Sequence, residues 1–108
     1  MDAGQVNALV ILDCDPVYTG PADLDFTSKF LKVGLRIHLG LYSDETAELC
    51  HWHVPEAHFL ESWSDARAYD GMVGIVQPLI APLYDGKSQD EFIAILVGDC
   101  LLYTSRCV

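Results

Sequence analysis

Val6 to Leu12, VNALVIL, leaves little freedom for the fold around it: the run is apolar, rich in branched residues and closed by the polar DCDP. Such a run reads as a strand buried on both faces, as parallel sheets require. The two prolines and the glycine of DPVYTGPADLDF then break the chain, and Pro21 opens a predicted helix. Asp23 and Asp25 fall in its first turn, where carboxylates suit the positive end of the helix dipole. Phe26, Phe30, Leu31 and Val33 supply the apolar face and Gly34 the stop. In LRIHLGLY, Leu35, Ile37 and Leu39 alternate with Arg36 and His38, which predicts a second strand. Strand, helix and strand in this order form a βαβ unit with a right-handed crossover.

Further elements follow the same logic. Ser43 is the expected N-cap of a short helix in SDETAELC. HWHVP reads as a third strand ended by Pro55. EAHFLESWSDARAYDG fits either a helical turn or a structured loop, and MVGIVQP fits another strand. Ser88 caps QDEFIAILVG, where Phe92, Ile95 and Leu96 fall at helical spacing. The fold class expected is α/β, a partial Rossmann-like and mainly parallel sheet.

A chain of 108 residues, 51% of them hydrophobic, fills one core, so it is one domain or part of a larger one. No apolar run approaches the roughly 18 residues that span a bilayer, and no export signal follows Met1. The formal charge of −10 repels phosphate backbones, which argues against nucleic acid as a partner. Cys100 to Val108, CLLYTSRCV, fits codon for codon a transposase end sequence from sequencing libraries running into its own reverse complement. Residues 100–108 are therefore read as a translated adapter and 1–99 as the natural fragment. Cys14 and Cys50 then remain, with neither a C-x-x-C spacing nor a disulfide framework.

The densest chemistry lies in ETAELCHWHVPEAHFLE. If HWHVP is extended, His51 and His53 project on one face, a plausible start to a zinc site completed by Glu56, His58 or Cys50. Packing or hydrogen bonding of these histidines is the competing reading, with Trp52, Phe59, Leu60 and Trp63 around them. Glu56 and Glu61 invite a paired-carboxylate reading, but spacing shows neither a shared cleft nor separated pKa values, and surface or loop-anchoring carboxylates are the favoured reading. Cys14 lies between two aspartates, and negative neighbours disfavour its thiolate. A glycine-rich phosphate cradle is absent from the sequence.

Taken together, ALVILDCDPVYTGPADLDF, LRIHLGLY, DETAELCHWHVPEAHFLESWSDARAYDG and IVQPLIAPLYDG resemble the dinucleotide-domain segment of the molybdopterin oxidoreductase superfamily. They are most similar to the molybdopterin-oxidoreductase-like iron–sulfur subunit of bacterial alternative complex III. The resemblance covers Val6 to Phe92 and implies a fragment of a larger molybdopterin-oxidoreductase-like domain. The superfamily's dinucleotide-contact loops would be Asp13, Cys14, Asp15, Pro16, Gly40 and Thr46. Two positions depart from the pattern: the turn glycine is Asp13, and an acidic nucleotide contact is Gly40. Both changes would weaken a dinucleotide site.

The resemblance further implies a structural part in a respiratory quinol oxidoreductase, with no catalytic residue in this stretch. Iron–sulfur clusters are expected elsewhere in the full chain, and no molybdopterin here. Partners would be other subunits of a membrane-bound complex, with no membrane span in this piece, on the periplasmic side of the bacterial inner membrane. Two other readings stand beside it: a cofactor-bearing molybdenum oxidoreductase of the polysulfide-reductase kind, and a small metal-binding α/β domain built on His51, His53 and His58. Where active superfamily members have an apolar strand, this chain has Leu49 to Pro55, so the resemblance assigns its histidines to a structural strand.

Overall fold

The structure, a computed structural model, describes residues 1–98. The adapter-like segment 100–108 lies outside the described residues. The chain divides into two compact units, one running from Met1 to Pro55 and the other beginning at Glu56.

The first unit is built on a three-stranded parallel sheet in the order β1 (Ala8–Leu12), β2 (Leu35–Gly40), β3 (Trp52–Pro55). β2 is central, with Ile11 opposite His38 on one side and His53 opposite His38 on the other. Side chains in register across a sheet share a face. One face therefore carries Ile11, Arg36, His38 and His53, and the other carries Val10, Leu35, Ile37, Leu39 and Trp52.

The face bearing the polar residues is the better covered one. His38 is only 1% exposed, whereas on the opposite face Leu39 is buried but Leu35 and Trp52 are 40% and 66% exposed. Arg36 is satisfied by backbone carbonyls. Its Nε donates to the carbonyl of Leu49 at 2.8 Å, and its Nη1 to those of Val33 and Leu31 at 2.8 and 3.2 Å. Its guanidinium also lies 5.5 Å from the ring centre of Phe30. Charge drawn out of water is tolerable only with such partners, and a planar guanidinium collects several at once. Phe30, Val33, Leu39 and Ile11 complete the core of this unit.

Between β1 and β2 the expected single helix is broken. A short helix α1 (Pro16–Thr19) is followed by a 3-10 turn (Ala22–Leu24) and a second helix α2 (Phe26–Phe30). The break falls at Asp25, which takes a left-handed conformation with φ +45°. An aspartate tolerates this backbone when its side chain bonds locally, and Ser28 Oγ donates to the Asp25 carboxylate at 2.5 Å. Helix α3 (Glu45–Leu49) is capped by Asp44 instead of the expected Ser43: its Oδ1 accepts the Ala47 N–H at 2.9 Å.

The second unit opens with a 3-10 turn (Phe59–Glu61) and a two-stranded antiparallel sheet, β4 (Ser64–Arg67) with β5 (Val73–Val76). The MVGIVQP strand thus forms a hairpin with part of the segment that fits either a turn or a loop in sequence. The turn is closed by Gly71 at φ +91° and by Asp70, whose Oδ1 accepts the Met72 N–H at 3.0 Å. Helix α4 (Gln89–Val97) begins as expected at Ser88, whose Oγ accepts the Glu91 N–H at 3.2 Å. Its Phe92 is buried, while Ile95 and Leu96 are exposed. Among the described residues no helix is long and apolar enough to cross a membrane.

Candidate functional site

In an open parallel sheet, ligands bind beyond the carboxyl ends of the strands, where loops diverge. The first unit has a cleft of about 220 Å³ there, lined by the turn after β1 (Asp13, Cys14, Asp15), the turn after β2 (Gly40, Leu41, Tyr42, Asp44) and His38. Of the dinucleotide-loop residues expected from sequence, Asp13, Cys14, Asp15 and Gly40 line it directly. Pro16 is the first residue of α1. Thr46 lies behind the wall, fully buried.

Asp13 has φ +48°. An aspartate thus stands at this turn in the left-handed backbone that glycine adopts freely. Its N–H is fixed to the Leu39 carbonyl at 2.8 Å. Asp15 then caps α1 and is tied to α3: Thr46 Oγ1 donates to Asp15 Oδ1 at 2.6 Å and accepts the Val17 N–H at 3.3 Å. The Tyr18 N–H reaches the same carboxylate at 3.4 Å. Burial works against the Asp15 charge, but the bonds with Thr46, Glu45 and Tyr18 prevail and hold its carboxyl below the usual range.

His38 stands at the base of the cleft. Its Nε2 lies 3.1 Å from the Cys14 carbonyl oxygen and 3.8 Å from Asp44 Oδ2. Its Nδ1 lies 2.9 Å from Nδ1 of His53, with the ring centres 5.1 Å apart and the ring planes 21° from parallel. A carbonyl only accepts, so His38 Nε2 carries the proton. In the neutral ring Nδ1 is then an acceptor, and His53 Nδ1 must donate. Gly40 makes room for this ring: a Cβ there would sit 2.6 Å from His38 Cε1.

The three histidines weighed as metal ligands are engaged separately. His51 Nδ1 accepts the Arg36 N–H at 3.0 Å, and His53 bonds to His38. His58, in the second unit, caps its 3-10 turn: its Nδ1 accepts the Leu60 N–H at 3.3 Å and its own N–H donates to Glu61 Oε2 at 3.2 Å. Glu56 Oε1 accepts from the Gln89 amide at 3.0 Å, so both carboxylates of the suspected acid–base pair have anchoring bonds. Among the described residues no set of three His, Cys, Asp or Glu side chains is arranged to hold a metal ion. The residues that sequence reasoning missed are His38 and Asp44. A faint signal for His38 was the glycine two positions on, which leaves ring-sized space on the same face of a strand.

The cleft does not fit a dinucleotide phosphate. Its lining holds three carboxylates, Asp13, Asp15 and Asp44, and no Lys or Arg. Phosphate sites use free amides at a helix start. Here Pro16 has no N–H, and those of Val17 and Tyr18 are taken by Thr46 and Asp15. Cys14 offers no nucleophile either, because burial and then the charges of Asp13, Asp44 and Asp15 push its thiol up.

Asp44 lends itself to a direct test. Asp44→Ala removes the cap of α3 and the carboxylate nearest His38, at an expected cost of about 1–2 kcal/mol. Amide exchange of residues 45–49 in the full-length protein should rise by roughly tenfold, and unchanged protection would refute the capping role.

No protein-family model matches the chain. Over 95 residues, 84% of its length, the chain is 27% identical to a protein of Nitratidesulfovibrio vulgaris named as the menaquinone reductase, molybdopterin-binding-like subunit. It spans 14% of that relative's length. This weak likeness supports a molybdopterin-oxidoreductase-like affiliation and nothing finer.

Proposed function

We propose that the chain is a fragment of a molybdopterin-binding-like subunit of a quinone-linked respiratory reductase, of the alternative complex III kind, in which it is a scaffold without chemistry of its own. The cleft carries this reading: the loops expected to meet the dinucleotide are brought together, yet they present carboxylates and spent amides. Likeness to a menaquinone reductase subunit supports the quinone link. In this reading the iron–sulfur clusters lie elsewhere in the full-length chain, on the periplasmic side of the bacterial inner membrane, and the partners are other subunits of the complex.

The test is the metal and pterin content of the purified full-length protein. Molybdenum and pterin well below one per chain are expected. Stoichiometric molybdenum would overturn the reading in favour of a cofactor-bearing oxidoreductase.

A further inference from the structure

The tripeptide Tyr-Asp-Gly occurs twice in the second unit, as Tyr69–Asp70–Gly71 and as Tyr84–Asp85–Gly86. An aspartate followed by glycine is open to a spontaneous rearrangement, because no Cβ on the glycine shields its nitrogen. That nitrogen attacks the aspartate Cγ. The N–Cγ bond forms as a C–O bond of the carboxyl breaks, and the carboxyl OH leaves with the amide hydrogen as one water. The succinimide ring so closed takes up a water again at either carbonyl. Opening at the main-chain carbonyl gives isoaspartate, in which the chain runs through Cγ and is one methylene longer.

Local sequence makes the two sites equal, and the fold separates them. We propose that Asp70 is a site of isoaspartate formation in the folded protein, and that Asp85 is protected from it. Asp70 and Gly71 are both exposed. Asp70 Oδ1 accepts the Met72 N–H at 3.0 Å, an Asx turn that folds the carboxyl back along the peptide containing the Gly71 nitrogen. Among the described residues, a Cβ added at Gly71 would meet only Arg67 Nη2 beyond its chain neighbours, at 3.9 Å, so this peptide turns without striking anything. One bond opposes the attack: the Gly71 N–H donates to the Ala68 carbonyl at 2.9 Å. It lies in the turn of a two-stranded hairpin, a segment that opens locally at little cost. Gly86, by contrast, is buried, and an added Cβ there would lie 3.0 Å from both Ala57 N and the Glu56 carbonyl carbon. The next residue is pinned to the same segment, since the Ala57 N–H donates to the Lys87 carbonyl at 3.0 Å. The Gly86 nitrogen reaches the Asp85 carboxyl only after that packing opens. The inference is independent of the quinone-linked assignment, because it concerns the chain's own chemistry.

The test is to age the folded full-length protein at neutral pH, digest it, and label the peptides with protein L-isoaspartyl methyltransferase and isotopic S-adenosylmethionine. Mass spectrometry then gives the isoaspartate content of each peptide. Label should accumulate in the peptide holding Asp70, with the Asp85 peptide slower by more than about tenfold, the delay set by local opening around Gly86. In urea that packing is gone, and the two rates should converge. Asp70→Glu should abolish label in the first peptide and leave the second unchanged. An unlabelled Asp70 peptide, equal rates in the folded protein, faster label at Asp85, or a difference that persists in urea would each overturn the assignment.

Discussion

Gly40→Ala is expected to destabilise the first unit by about 2–4 kcal/mol, through overpacking and the loss of buried hydrogen bonds. The backbone at Gly40 is ordinary strand, so alanine fits its conformation. What fails is space: the new Cβ would sit 2.6 Å from His38 Cε1 and 3.2 Å from its Nε2. The ring cannot retreat, because it is buried between His53 and the Cys14 carbonyl. Moving it strands two nitrogens away from water. Amide exchange of β2 in the full-length protein should accelerate on the order of 10²-fold. Combining Gly40→Ala with His38→Ala should restore much of the protection, since the clash is then gone. A Gly40→Ala protein with native β2 exchange would show that the ring is not held as described.

Thr46→Val should cost about 2–3 kcal/mol at neutral pH, the penalty of leaving a carboxylate and a backbone N–H without their buried partner. Valine has nearly the shape of threonine, so the change isolates the hydroxyl, which lies fully buried between Asp15 and Val17. The pH dependence identifies the cause. Asp15 is held below the ordinary carboxylate range in the folded protein, with burial opposing and Thr46 prominent among the groups that favour its charge. Its contribution is therefore present above the ordinary value of about 3.9 and is lost as the pH falls through the lower folded value. Removing the hydroxyl raises the folded value, so the difference between wild type and variant should be largest near neutrality and shrink in acid. A cost equal at pH 7 and pH 3 would assign it to packing. Thr46→Ser retains the hydroxyl and should keep most of the pH-dependent part.

Much of the first unit was legible because its signals are local. The branched run ending in DCDP, the alternation of LRIHLGLY and the stop at Pro55 each concern a few adjacent residues, and the three strands lie where those patterns put them. Ser88 and Gly98 bracket α4 for the same reason. The break in the helix after β1 is not legible in the sequence because it depends on one residue: Asp25 enters the left-handed region with its carboxylate bonded to Ser28. Of the hairpin β4–β5 only the second strand is legible, since Ser64–Arg67 carries no apolar alternation.

The positions of the strands, the helix stops and the acidity of the loops follow from the sequence alone, because each depends on backbone preference or charge within a short window. Which face of β2 would be the better covered did not follow. Alternation says only that Leu35, Ile37 and Leu39 oppose Arg36 and His38, and hydrophobicity would have turned the apolar three inward. Tertiary structure buries Leu39 but leaves Leu35 exposed, and it covers His38. The reason is that carbonyls of Leu31, Val33, Leu49 and Cys14 converge on the arginine and histidine and satisfy them. The register that sets His53 beside His38 is likewise a property of strand pairing. Those two residues are 15 apart in the chain, and no local pattern encodes their meeting.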